Sequence, residues 1–329
     1  MFTNTMLERT LAFSAGNIVS GELARGGLIR ELYLQLTQAP TVAGAANTAA
    51  AVRRGGPWGV IRRLEIILNG SEVVLSLPGA ALPFLAGHWL GRFPNLTATL
   101  GDAATANPVL NDTIVIPFLQ PFAAKPFDTV LDVRRARQVE VRVTWGTFTD
   151  VSSGATAYTT NPVLEISSLR SVPLPEDVPD GAVFTEWRRT QQEVAVPATT
   201  TQQRIDLSTG YVYRGAIFET LDAGDMESDV LNRIRVKSGA TAFQDLRSVV
   251  MREAARQRFG IQVAPSAVYS RGQNDLDAWY LWDQVTDGRL SEAVDTLAFS
   301  EFFVEADVTV GGGATIVNIY PWILIPPRA

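Results

Sequence analysis

Cysteine is absent from all 329 residues, which excludes disulfide frameworks, thiolate metal sites and cysteine nucleophiles. Lysine is nearly absent: Lys125 and Lys237 are the only two, and arginine carries the remaining positive charge. A GC-rich coding sequence accounts for that usage, and so does a need for bidentate pairing at subunit interfaces, which arginine serves better. A surplus of positive charge is also missing. The net charge of −6 argues against a chain that coats nucleic acid directly, because phosphate binding needs a basic face. Long apolar runs are missing as well. The longest, residues 79–90, contains Pro83 and falls short of the about 20 residues a bilayer span requires. Residues 1–13 lack the basic start and continuous apolar stretch of a secretory signal, so the expectation is a protein that is soluble or sits beside a membrane.

What is present is material for packed cores: 46% of residues are apolar and 19% charged. Strand patterns dominate. Residues 28–36 alternate from Leu32 onward. Residues 60–68 end in the hairpin signal Asn69-Gly70, and 73–77 follow. Residues 139–145 put Val139, Val141, Val143 and Trp145 on one face and Glu140, Arg142 and Thr144 on the other, and 304–310 alternate likewise. The connections are rich in Gly, Pro, Ala, Thr and Asn. Many short strands joined this way predict an all-β sandwich or barrel.

Two segments read as helices. The first covers about 78–90, with Leu82, Leu85, Ala86 and Trp89 on one face. The second covers about 243–259. Asp245 lies near its start, Leu246, Val249 and Val250 share a face, Arg252, Arg256 and Arg258 crowd its end, and Gly260 terminates it.

The two halves repeat. Residues 29–33 match 213–217, and residues 60–66 match 230–236; a glycine turn (Gly70, Gly239) and a helix follow in each case. Residues 139–146 (VEVRVTWG) match 304–311 (VEADVTVG) with five identities in eight, and 163–166 match 316–319. The offset falls in order: 184 (Arg30 to Arg214), 170 (Arg63 to Arg233), 165 (Val139 to Val304) and 153 (Val163 to Ile316). A steady fall with unchanged order is what duplication followed by loop shortening leaves behind. The predicted division is a first unit at 1–172, a stiff polar connector at 173–186 with Pro173, Pro175 and Pro179, and a second unit at 187–329.

With residues 20–34 (SGELARGGLIRELYL), 57–66 (PWGVIRRLEI), Asn69-Gly70 and the helix after it, the chain resembles the double jelly-roll major capsid proteins of tailless, membrane-containing icosahedral bacteriophages, the lineage that includes adenovirus. The resemblance implies two eight-stranded antiparallel jelly-roll barrels, each with a short inserted helix. It implies a homotrimer of pseudo-hexagonal outline, with both barrels upright in the shell, contacting neighbouring capsid trimers and a separate vertex (penton) protein. The amino terminus would lie toward minor membrane proteins and an internal lipid membrane. The protein would be made in the host cytoplasm, reside in the virion capsid and bind no nucleic acid sequence-specifically. No enzymatic activity and no cofactor are implied.

Candidate sites are sparse. His88, the only histidine, sits within the first helix. No G-x-S-x-G elbow accompanies it, so a packed or surface histidine is expected. The acids Asp222, Asp225, Glu227 and Asp229 are weak candidates for a calcium site without EF-hand spacing, and a solvated loop is the expected alternative. Asp275, Asp277, Asp283 and Asp287 interleave with Trp279, Tyr280 and Trp282, which suggests core, an interface or a carbohydrate-binding loop. Gly311-Gly312-Gly313 lacks the Lys-Ser/Thr of a phosphate loop and reads as a hairpin. No pair of carboxylates stands out for glycoside hydrolysis, although a carbohydrate-binding or carbohydrate-cleaving double jelly roll is the alternative function. At the amino terminus, Phe2, Met6, Leu7 and Leu11 fall near helical spacing. That leaves a short amphipathic helix at the membrane or a disordered arm that orders on assembly.

Overall fold

The computed structural model describes residues 2–90, 94, 99–119, 129–134, 136–172, 186–259, 276–285 and 289–325. The expected connector therefore lies outside the described residues except for Glu186, as do Asp275, Asp287 and Gly260.

The first half runs β1 (Phe2–Ala12), β2 (Ile18–Glu22), β3 (Leu28–Val42), β4 (Ile61–Leu68), β5 (Glu72–Leu77), α1 (Leu82–Leu90), β6 (Leu110–Pro117), β7 (Leu131–Asp132), β8 (Val139–Trp145) and β9 (Ala155–Val172). One sheet has the order β1-β9-β3-β6, with β7 continuing beside β3; the other has β2-β8-β4-β5. Asn69 and Gly70 turn the β4–β5 hairpin at φ 53° and 77°. Two successive left-handed residues match the twist of the flanking strands, which is why Asn-Gly serves there.

The second half runs β10 (Glu186–Thr190), β11 (Gln192–Val196), β12 (Thr200–Asp206), β13 (Val212–Asp222), β14 (Asp225–Met226), β15 (Leu231–Ser238), β16 (Thr241–Arg247), α2 (Ser248–Phe259), β17 (Trp279–Asp283), β18 (Val294–Asp295), β19 (Phe303–Val308) and β20 (Thr315–Ile325). Strands β10 and β11 lie along β20, which pairs with β13, and β13 pairs with β17, β18 and the short β14; the facing sheet is β12-β19-β15-β16. Each half is thus a jelly roll of two four-position antiparallel sheets, with a helix directly after the hairpins β4–β5 and β15–β16.

The pairing register carries the duplication further than the sequence match does. Val163 faces Thr37 and Ile316 faces Leu221. The partners are displaced by 153 and 184 residues, the same offsets the sequence repeat has on those strands. Both rolls bulge at the equivalent arginine, Arg30 and Arg214. Both hairpins also slip after the equivalent residue, Ile66 and Val236. One correction follows for β8 and β19. Ile66 faces Val141, whereas Val236 faces Val304, so Val304 takes the place of Val141 and not that of Val139. A shift of two residues keeps every side chain on its own face, which hides it from a pattern match.

Three other expectations are overturned. The amino terminus is neither a helix nor a free arm: β1 pairs with β9 from Phe2↔Val172 to Ala12↔Val163. The second helix starts at Ser248, and residues 241–247 are strand, so Asp245 does not cap a helix but pairs with Arg233 across β15 and β16. The inward face of α2 is Met251 and Ala255, while Val249 and Val250 are exposed. The first roll does not close all of its own strand edges. The outer edge of β5 is covered by β10, which runs parallel to it (Arg189↔Leu75, Thr190↔Ser76) and joins one sheet of each roll into a single sheet.

That join explains the cores. The second roll has its own core around Phe218, Ile234, Trp282 and Phe302. The core of the first roll runs on past Trp58, Trp145 and Leu164 to Ile217, Trp279, Tyr320 and Trp322 of the second. Strand β13 is consequently buried on both faces from Tyr213 to Leu221, whereas β3 alternates. No helix among the described residues is long and apolar enough to cross a membrane.

Candidate assembly surfaces

The junction between the rolls is built by residues that composition alone does not mark. Glu219, fully buried on β13, receives the Arg54 guanidinium (Nε to Oε1 2.6 Å), the Tyr320 hydroxyl (2.7 Å) and the Asn318 amide (3.0 Å). Arg54 lies in the β3–β4 connection, so the pair ties one roll to the other. Phe84 of α1 stacks on Trp279 at 5.0 Å, and Trp279 stacks on Tyr320 at 5.7 Å. A carboxylate inside the apolar run 216–221 was the available sequence signal for this site, since a buried acid needs a partner.

Arg189 on β10 sits beside that junction. Its guanidinium lies 4.1 Å over Trp89 and 4.6 Å over Trp187 and donates to the carbonyl of Pro117. Burial, and then the neighbouring Arg214 charge, push its pKa well below the ordinary guanidinium value. Arg214 itself pairs with Asp283 at 3.0 Å, both side chains buried, and stacks over Trp322 at 4.6 Å. Bidentate arginines therefore serve contacts within this chain, including the contact between its two rolls.

The sequence candidates separate. Asp222 accepts from Gly313 N (3.2 Å) and Thr315 Oγ1 (3.0 Å), pinning the glycine turn before β20, while Asp225 is exposed and Glu227 accepts from Asp229 N. Among the described residues, no group of three His, Asp or Glu is arranged to hold a metal. Asp277 pairs with Arg256 of α2. Trp279, Tyr280 and Trp282 are buried core, not an exposed platform for a sugar.

His88 is buried in α1, its Nδ1 2.8 Å from the Phe84 carbonyl. Burial lowers its pKa from 6.5 to about 4. The unfolded chain therefore binds a proton between pH 6.5 and 4 that the folded chain refuses, so stability falls as pH falls through this window. Relative to a His88→Gln variant, the protein should lose about 2.5 kcal/mol between pH 7 and pH 4.5. Urea midpoints at the two pH values read this directly; equal losses in both proteins would contradict it.

Among the described residues, large exposed apolar side chains are Leu7 on β1, Ile18, Val109, Val172, Val249 and Val250 on α2, and Leu297. A cleft of about 520 Å³ beside α2 is lined by Arg233, Arg247, Ser248, Arg252 and Asp277 among others.

No known protein family and no curated protein matches the sequence. Solved structures do match. A chain of the Sulfolobus Turreted Icosahedral Virus superposes with a TM-score of 0.74 at 13% identity, covering 99% of this chain and 91% of that one. The major capsid protein of bacteriophage PM2 gives 0.62 at 13% identity, with 99% of both chains covered. The Faustovirus major capsid protein gives 0.56 at 9% identity, with 98% and 90% covered. From end to end, the chain has the double jelly-roll fold of these viral major capsid proteins.

Proposed function

We propose that this protein is the major capsid protein of an icosahedral virus and acts by assembling, without catalysis. The observation that carries the reading is the duplicated roll spanning the whole chain, shared over nearly full length with major capsid proteins. Two similar rolls per chain give three chains six similar walls, so a homotrimer fits a site of hexagonal symmetry. Trimers of this kind would tile the shell beside neighbouring trimers and a separate vertex protein, over an internal membrane. The virion capsid is then its residence and the host cytoplasm its place of synthesis. The acidic net charge fits a shell that does not hold the genome directly.

The test is mass and shape in solution. Purified full-length chain should scatter light as three copies of 35.7 kDa and show pseudo-hexagonal outlines by negative stain. A monomer that persists at high concentration would overturn the proposal.

A further inference from the structure

Within the chain, one sheet edge of each roll is consumed: β5 of the first roll by β10 of the second. The duplication supplies a second pair of edges of the same kind. Against β20, Arg188 faces Ile323; against β9, Asn4 faces Arg170, the residue equivalent to Ile323 by the same offset of 153. Thr5 and Met6 therefore take the places of Arg189 and Thr190. On the other side, Ile66 faces Leu75 and Glu65 faces Ser76, as Val236 faces Gln244 and Arg235 faces Asp245. Gln244 and Asp245 thus take the places of Leu75 and Ser76.

Among the described residues, both of these second edges are open: β1 pairs only with β9 and β16 only with β15. The difference in burial follows the difference in pairing. Trp187 and Arg189 are buried, whereas their counterparts Thr3 and Thr5 are exposed. The face behind β1 behaves likewise. Ile217, Glu219 and Leu221 are buried against the first roll, whereas their counterparts Tyr33, Gln35 and Thr37 are only half-buried. Exposed apolar side chains flank both open edges: Leu7 beside Met6, and Val249 and Val250 just beyond β16. An open strand edge presents unpaired N–H and C=O groups that invite another strand.

We propose that β1 of one chain docks in parallel beside β16 of a second copy, with Thr5 next to Gln244 and Met6 next to Asp245. The join between the rolls is then repeated between chains. The two surfaces differ, so the contact is head-to-tail and closes only as a ring. This rests on the trimer reading above and assigns that trimer a specific strand pairing.

The absence of cysteine makes the test clean. A Thr5→Cys, Gln244→Cys double variant, oxidised and run on a non-reducing gel, should give a ladder of dimer and trimer and nothing larger. Directly opposed strand positions bring Cβ atoms close enough for a disulfide after small adjustment. Each single variant should give no cross-link, because position 5 meets position 244 and not itself. A Leu7→Cys, Val109→Cys pair, both exposed, should give none either. Light scattering of the reduced double variant runs alongside. Trimers without cross-links would overturn the strand pairing and leave the shell reading standing. Failure to form trimers, when the unsubstituted chain forms them, would point to damage at the contact, and a ladder from the Met6→Cys, Asp245→Cys pair, the next position of the same register, is then required for the pairing to survive. An unsubstituted chain that forms no trimer would overturn both.

Discussion

Replacing Glu219 by alanine should lower the unfolding free energy by about 3–5 kcal/mol, the scale for removing one member of a buried ion pair. Glu219 is fully buried and holds three donors from two separate places in the chain: Arg54 before β4, and Asn318 and Tyr320 on β20. The variant leaves the Arg54 guanidinium without its carboxylate, beside the Trp279–Tyr320 stack. Urea unfolding followed by tryptophan emission is the measurement, because Trp279 stacks directly on Tyr320. The companion is an Arg54→Met, Glu219→Leu double variant. Since well-packed apolar residues often replace a buried pair at little cost, it should recover most of the loss. If Glu219→Ala and the double variant are equally unstable, shape rather than charge pairing holds the rolls together. A loss under 1 kcal/mol for Glu219→Ala would mean the junction contributes little to the fold.

Much of this architecture is legible in the sequence where strands have one wet face. Residues 139–145 alternate because β8 is buried on one side only, and the structure returns the same limits. The Asn-Gly turn is legible because its backbone conformation is chemically selective. The junction is not legible, for the complementary reason. Strand β13 is buried on both faces, so residues 213–221 show no alternation, and Glu219 reads as an isolated acid. The start of α2 was misplaced because β16 lies at an edge with no fully buried residue, leaving Asp245 and Leu246 free to mimic a helix start. The candidate acids at 222–229 share a loop in sequence, but Asp222 turns back to the glycine turn before β20 while Asp225 faces solvent. Spacing alone does not carry that divergence.

The amino terminus was misread through a bulge. Strand β1 slips between Leu7 and Arg9, which resets the two-residue period. Leu7 is left outside and Leu11 inside, four residues apart, and that spacing imitates a helix. The correction has consequences for the first twelve residues. An arm that orders only on assembly can be removed with no effect on the isolated chain. A strand cannot, and this one carries more than main-chain pairing. The Glu8 side chain is 1% exposed and receives Arg170 Nε at 2.6 Å, the Ser168 hydroxyl and the Ala24 amide at 2.8 Å. Leu11 adds a side chain to the core. Deleting residues 1–12 therefore strands the buried Arg170 charge, at about 3–5 kcal/mol, and removes a core leucine, at about 2–5 kcal/mol, before the lost pairing along β9 is counted. That sum is comparable with the whole stability of a typical domain. The expected result is a truncated chain whose first roll no longer unfolds cooperatively, read by differential scanning calorimetry against full-length protein. An unchanged transition would restore the arm. Deletion also removes the edge proposed to meet β16, so its effect on assembly is ambiguous. Glu8→Ala separates the two roles. Its side chain points into its own roll, so monomer stability should drop by about 3–5 kcal/mol while the outward edge at Thr5 and Met6 stays in place. At a temperature where this variant is still folded, it should form trimers like the unsubstituted chain. Loss of both stability and trimers under those conditions would mean that the fold of β1 and its contact with a second copy are not separable.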